Sequence, residues 1–247
     1  MRLANKTAII TGGAQGFGAG IVDKFLTEGA RVLVADINGA AATAKAAEHP
    51  DATACTVNVA DADSVNAMVA QAQSLWGQID ILVNNAGVTH LPAPMETVSE
   101  PDFDRVFAVN CKSVYLIARA FNTHMKTRES GAILNVASTA GVSPRPNLNW
   151  YNASKGWMNT ATKTMAVELA PFGIRVNAIN PVAGETPLLA SFMGEDTPEI
   201  RAKFLSTIPL GRFSTPEDIA NSACYLCSDE ASMVTGVCME VDGGRCI

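Results

Sequence analysis

A short apolar run at 6–11, KTAIIT, ends in the glycine-rich turn GGAQGFG, and an apolar-periodic stretch through Ile21, Val22, Phe25 and Leu26 follows at once. The period changes from strand to helix across the turn. A glycine turn placed between a strand and a helix lets the backbone approach a pyrophosphate, and the helix N-terminus offers it free N–H groups and a positive dipole end. Glycine triplets are common by themselves. Here Gly12, Gly16 and Gly18 stand in the strand–turn–helix setting, and the next strand-like segment, RVLVAD, ends on Asp36. That is about where a carboxylate would grip the hydroxyls of an adenosine ribose.

The same alternation continues along the chain. Strands are expected near 6–11, 31–35, 53–57, 79–83, 131–136, 173–178 and 236–240, and helices at 19–28, 40–48, 62–76, 100–125, 152–170 and 216–226. This order predicts an α/β fold: a Rossmann-type, doubly wound parallel sheet of about seven strands with helices on both faces. Sheets of this kind take ligands beyond the carboxyl ends of their strands, where strand order reverses. Gly12, Asp36, Asn58, Asn85, Ser138 and Pro181 all fall at such ends, so one site is expected to collect them. No linker, repeat or low-complexity stretch divides residues 1–247, which read as one domain able to bury an ample core. Only 185–208 breaks the rhythm. Its apolar Leu188, Leu189, Phe192, Met193 and Phe204 read as a lid over the strand ends, or as a surface excursion with a small core of its own.

Composition narrows the partners. A formal charge of −6 without Lys/Arg clusters argues against nucleic acid. No apolar stretch approaches the length of a membrane span and no apolar leader precedes the first strand, so a cytoplasmic protein with no membrane partner is expected. Cys224 and Cys227 form a C-x-x-C inside a helical pattern, with no His or second Cys pair at ligand spacing. The cysteines read as apolar filler, and no metal site is expected.

The reactive groups are in WYNASKG and upstream of it. Tyr151 and Lys155 stand at i and i+4 and share a helix face, so the ammonium can lie near the phenol. A cation within a few ångströms favours the phenolate and lowers a tyrosine from its usual value near 10. Such a tyrosine can serve as base toward an alcohol or as acid toward a carbonyl. Ser138, at the end of an apolar run, adds a hydroxyl.

Taken in order, TGGAQGFG from Thr11, Asp36, NNAG from Asn84, Asn110 in FAVN, Ser138 in NVAS, YNASK from Tyr151, NPVAGETP from Asn180 and VDGG from Val241 run nearly end to end. In these the chain resembles the short-chain dehydrogenase/reductase family, in its single-domain branch. The resemblance implies an oxidoreductase that binds its dinucleotide through Gly12, Gln15, Gly16, Phe17, Gly18, Asp36, Ile37, Asn58, Val59, Asn85, Ala86, Gly87, Tyr151, Lys155, Pro181, Gly184 and Thr186. It implies that Tyr151 is the general acid/base, that Ser138 bonds the same substrate oxygen, and that Lys155 holds the nicotinamide ribose. Asn110 would hold a water linking Lys155 to solvent, or would simply cap a break in a helix. It also implies a homotetramer packed through the long helices and the C-terminal strand. Two positions depart from the family pattern: Asn58 replaces the usual Asp, and Val182 follows Pro181 where Gly is commoner, the glycine arriving only at Gly184.

Asp36 selects NAD over NADP. Its charge would face the extra phosphate at a cost of roughly 4 kcal/mol per charge pair at ~4 Å and an effective dielectric of ~20, and Gln15 before Gly16 offers no offsetting cation. Expected substrate walls are Ser138, Tyr151, Thr89, His90, Leu91, Ala140, Val142, Asn149, Trp150, Leu188, Leu189, Phe192 and Met193. This mostly apolar set suits a hydrophobic aryl, cyclic or aliphatic secondary alcohol and its ketone. A 3-oxoacyl carrier-protein reductase is the alternative. Asp36 opposes it, as do Glu129 and Phe172, which stand where those enzymes tend to carry basic residues. A non-catalytic NAD-binding protein is the remote alternative, opposed by the presence of Ser138, Tyr151 and Lys155 together.

Overall fold

Successive side chains of a strand point to opposite faces, so a strand covered on both sides must be apolar throughout. In the computed structural model, which describes residues 1–247, β1 (Thr7–Thr11) is buried at every position. Ala8 and Ile10 pack into one core and Ile9 into the other. With β2 (Arg31–Asp36), β3 (Ala52–Thr56), β4 (Ile81–Asn84), β5 (Gly131–Val136), β6 (Ile174–Pro181) and β7 (Cys238–Val241) it forms one parallel sheet. The strand order is β3-β2-β1-β4-β5-β6-β7, so the order reverses between β1 and β4. The seven-stranded doubly wound sheet is the architecture that the alternation implied.

The helices α1 (Gly16–Thr27), α2 (Gly39–Ala46) and α9 (Pro216–Cys227) supply Ile21, Phe25, Ala42, Ile219 and Cys224 to the core on one face. On the other face α3 (Ala62–Trp76), α5 (Ser113–Arg128) and α6 (Asn149–Leu169) supply Met68, Ile117, Phe121 and Leu169. The helix starts follow local chemistry. Asp61 accepts from the Ser64 N–H at the head of α3, and Thr215 and Asp218 form a reciprocal capping box on α9. Caps of this kind contribute about 1 kcal/mol each.

The helix expected over 100–125 is interrupted. α4 (Glu100–Phe107) passes into one wide π-turn, Ala108–Lys112, before α5 resumes. The extra residue turns Asn110 inward, where it is fully buried. The segment after β6 folds into two short helices, α7 (Leu189–Met193) and α8 (Pro198–Leu205). They close on a small core of Val182, Leu189, Met193, Ile208 and Phe213. No helix is long and apolar enough to cross a membrane.

Candidate active site

One cavity of about 430 Å³ opens along the carboxyl ends of the strands. At its first wall, Gly12 adopts φ +63°, a left-handed conformation open to glycine. Gly18 lies behind the turn rather than on the wall: a Cβ there would collide with the Gly12 carbonyl oxygen, so α1 can start this close to β1 only with glycine. The side chain of Asn85 ties β4 to the same turn by donating to the Thr11 and Gly12 carbonyls at 2.9 and 3.0 Å.

At the end of β2 the Asp36 carboxylate is held by two backbone donors. The Ala14 N–H reaches one oxygen at 3.1 Å and the Asn38 N–H the other at 3.0 Å. Each oxygen keeps acceptor capacity beyond that one bond, and Asp36 lines the cavity. Ile37, Asn58 and Val59 complete this end of the wall. Asn58 Oδ1 already accepts from the Ala60 N–H at 3.1 Å, so its departure from the family's Asp leaves one further acceptor position. Asp36 is the single acid among the wall residues, and the two cations, Lys155 and Arg145, line the cavity elsewhere.

Past the switch point, Gly12, Gln15, Gly16, Phe17, Asn85, Ala86, Gly87, Pro181, Gly184 and Thr186 line the cavity as the resemblance implied. The departure at Val182 resolves into a definite backbone path. Val182 donates to the Val241 carbonyl, the chain then bridges to Ser214 through Gly184, and a Cβ on Gly184 would strike the Phe17 ring.

Ser138, Tyr151 and Lys155 face the cavity together. The Ser138 N–H donates to Asn180 Oδ1 at 3.2 Å, and its hydroxyl oxygen accepts from the Ala140 N–H at 3.1 Å, which fixes the residue just beyond β5. Tyr151 and Lys155 share the buried face of α6. The expected acidification of Tyr151 by Lys155 is not what these groups do. Lys155 Nζ donates to the Val136 carbonyl at 2.9 Å and stands 5.8 Å from the Tyr151 ring centre. Burial dominates both groups, pushing Tyr151 up to about 12, against a smaller opposing effect of Ser138, and Lys155 down to about 8.

Asn110 stays off the wall. Its Oδ1 accepts from the Val88 N–H (2.9 Å), while Nδ2 donates to the Val88 carbonyl (2.9 Å) and to Ser154 Oγ (3.0 Å). Its side chain therefore clasps the loop after β4 to the second turn of α6. None of these bonds caps the break between α4 and α5, so the side chain joins two other elements instead.

The substrate walls need correction. Leu188, Phe192 and Ala140 line the cavity, and Phe192 meets the Tyr151 ring edge-on at 5.0 Å between centroids. His90, Leu91, Trp150 and Met193 do not line it, nor do Thr89, Val142, Asn149 and Leu189. His90 is buried with Nδ1 bonded to the Leu91 carbonyl, while Leu91 points outward at 65% exposure. Trp150 donates to the Met95 carbonyl and packs edge-on against Phe103, pinning the first turn of α6 to α4 and the turn that precedes it. Met193 and Leu189 turn inward to the small core of the segment. The expected list also lacked Leu148, Phe204 and a cation, Arg145, all of which line the cavity. The signal was the run SPRP before α6, a charge inside an otherwise neutral loop.

A doubly wound sheet whose switch-point cavity carries a glycine turn, a strand-end aspartate and a Ser–Tyr–Lys set defines a dinucleotide-dependent oxidoreductase. A family model described as "Enoyl-(Acyl carrier protein) reductase" matches residues 12–245, and the chain belongs to the short-chain dehydrogenase/reductase family. It is 49% identical to a 4-formylbenzenesulfonate dehydrogenase of Comamonas testosteroni, over 99% of each chain. It is 40% identical to a 3-oxoacyl-[acyl-carrier-protein] reductase of Thermotoga maritima over 100% of both. Among solved structures, the 3-ketoacyl-(acyl-carrier-protein) reductase of Brucella melitensis complexed with NADH superimposes with a TM-score of 0.95. The identity is 47%, covering 99% of this chain and 100% of that one.

Proposed function

We propose that this chain is an NAD-dependent oxidoreductase that interconverts a hydrophobic alcohol and its carbonyl compound. The observation that carries the reading is the juxtaposition, on one cavity wall, of the Ser138 hydroxyl and the Tyr151 phenol with the Lys155 ammonium. The residues fit a dinucleotide: glycine at 12 and 18 lets the turn pack closely against Asn85 and Ala86 and against α1. The turn lines the cavity through Gly12 and Gly16, and Asp36 keeps two oxygens for ribose hydroxyls. When bound, the dinucleotide supplies or accepts the hydride.

The protein's own groups handle the oxygen. The Tyr151 phenol gives its proton to a carbonyl oxygen on reduction and takes the hydroxyl proton back on oxidation. The Ser138 hydroxyl donates to the same oxygen and stabilises the negative charge that builds on it. Phe192, packed on Tyr151, excludes water from that contact. The apolar walls of Leu148, Leu188 and Phe204 suit an aryl or cyclic body. The Comamonas relative is named for a substituted arene, which agrees with an aryl body. Residues 185–208 act as the lid of this site, and the assembly is a cytoplasmic homotetramer.

A 3-oxoacyl carrier-protein reductase is the second reading, favoured by the two relatives of that name. One of them is complexed with NADH, so an NAD-type aspartate does not separate the readings. A spectrophotometric screen of aryl, cyclic and aliphatic alcohols and carbonyls with NAD and NADP, run beside acetoacetyl carrier protein, decides between them. Faster turnover of the carrier substrate than of every free carbonyl would replace the first reading by the second.

A further inference from the structure

Arg145 and Arg245 are two cations without an acid. Arg145 stands in the loop between β5 and α6, where Asn152 Nδ2 donates to its carbonyl at 2.7 Å, and its side chain lines the cavity. The guanidinium lies 4.2 Å from the Phe204 ring centre and gives one hydrogen bond, from Nη2 to Thr207 Oγ1 at 3.0 Å. Arg245, on the C-terminal turn, stands behind this wall rather than on it. Its Nη1 donates to Ser143 Oγ at 3.0 Å, Ser143 being itself a wall residue, and its Nε is buried with no partner.

Neither arginine has a carboxylate within ion-pair distance, in contrast to Arg128 on Asp80 and Arg212 on Asp218. Asp242, the acid nearest to Arg245 in sequence, spends its oxygens on the Gly244 and Cys246 N–H groups. Burial and the nearby Arg245 both push the Arg145 guanidinium below its usual range. Half-buried guanidiniums with most of their donors unspent are costly unless an anion joins them. Their fork geometry suits a planar or tetrahedral oxyanion.

We propose that Arg145, backed through Ser143 by Arg245, forms an anion subsite in the cavity, so that the substrate is an alcohol or carbonyl compound carrying a carboxylate or sulfonate away from its reacting carbon. The inference rests on the oxidoreductase reading above and names its substrate class. The apolar body of such a substrate lies among Leu148, Leu188, Phe192 and Phe204, its oxygen meets Ser138 and Tyr151, and its anion meets Arg145. Because Arg145 also holds Phe204 and Thr207, the anion ties the lid segment to the catalytic loop.

Calorimetry on the NADH-loaded protein with benzoate, benzenesulfonate and benzamide reads the subsite without requiring turnover. One of the anions is expected to bind about 10–100-fold more tightly than benzamide, the range of a charge-assisted hydrogen-bonded pair. The tighter of the two identifies the group. The ratio is expected to fall toward one in Arg145→Met and in Arg245→Met, with Arg145→Lys retaining part of it. In parallel, the kcat/KM ratio of 4-acetylbenzoate or 4-acetylbenzenesulfonate to acetophenone should follow the same pattern. A binding ratio near one in the native protein, or a ratio unchanged in both Met variants, overturns the subsite, even if acetophenone is reduced and the oxidoreductase reading stands. Anion-selective binding without turnover of any carbonyl supports the subsite and removes the activity reading instead.

Discussion

Asp36→Asn is the substitution with the most to say about the cofactor. Two backbone N–H groups, Ala14 at 3.1 Å and Asn38 at 3.0 Å, hold the native carboxylate, so it cannot swing away from an approaching phosphate. At ~4 Å and an effective dielectric of ~20, each charge pair costs roughly 4 kcal/mol, or about 10²–10³-fold in binding. No Lys or Arg at that end of the cavity offsets it. The native protein should therefore show kcat/KM for NADH at least about 100-fold above that for NADPH.

The amide removes the repulsion but brings its own cost. Its single oxygen can keep one of the two N–H donors, and its NH₂ then faces the other. One poorly exposed donor is orphaned, worth about 1–3 kcal/mol, which at roughly 2–4 °C per kcal/mol lowers Tm by several degrees. The variant should thus lose most of its discrimination, bind NADH more weakly, and melt earlier. Initial rates with both dinucleotides, together with a thermal melt, test all three. Comparable kcat/KM for NADPH and NADH in the native protein, or an unchanged ratio in Asp36→Asn, would refute the electrostatic reasoning.

Tyr151→Phe keeps the ring packed on Phe192 and deletes only the hydroxyl. Turnover should drop by at least about 100-fold, the scale of general acid–base catalysis, while NADH binding, followed by fluorescence titration, persists. Asn110→Ala leaves the Val88 N–H, the Val88 carbonyl and Ser154 Oγ without their partner, so a loss of about 2–5 kcal/mol is expected in urea unfolding; a loss under about 0.5 kcal/mol would mean the clasp is idle. Lys155 carries a pH signature. Its folded value of about 8 lies below its usual 10.5, so between those values the unfolded chain binds more protons and stability rises with pH, and it falls away as pH drops through 8. Cys111 and Cys227, pushed up to about 11 and about 12, act in the opposite sense above pH 9. The quantity to read is therefore the difference between the native protein and Lys155→Met, which should grow by roughly 1 kcal/mol from pH 8 to 9. A flat difference would show that Lys155 is not desolvated.

The residues legible in the sequence are those fixed by local rules. A strand that ends in a glycine turn places Gly12, Asp36 and Asn85 by topology alone, and the i, i+4 spacing puts Tyr151 and Lys155 on one face of α6. The misses need information from further away. An inserted π-turn barely alters helical periodicity, so the break at Ala108–Lys112 was invisible except through Asn110. His90 and Trp150 stand next to strand ends or reactive residues in sequence, but loop direction decides which side chains face the cavity. Arg145 acquires its meaning from Arg245, one hundred positions on, with Ser143 between them.

Burial opposes charge wherever charge sits, and the values near 12 for Tyr151 and near 8 for Lys155 are one effect acting on an acid and on a base. At neutral pH the pair is therefore a neutral phenol beside an ammonium whose desolvation is offset by the Val136 carbonyl. A neutral phenol is already the proton donor that carbonyl reduction needs. Alcohol oxidation instead needs the phenolate, which burial disfavours and which positive charge close to the phenol oxygen must favour. On the proposed reading, the two directions should then differ in pH response. The oxidation rate should climb with pH through the range in which Tyr151 loses its proton, whereas reduction should hold level until the phenol is lost. Superimposable profiles for the two directions would mean that Tyr151 is not the group exchanging the proton.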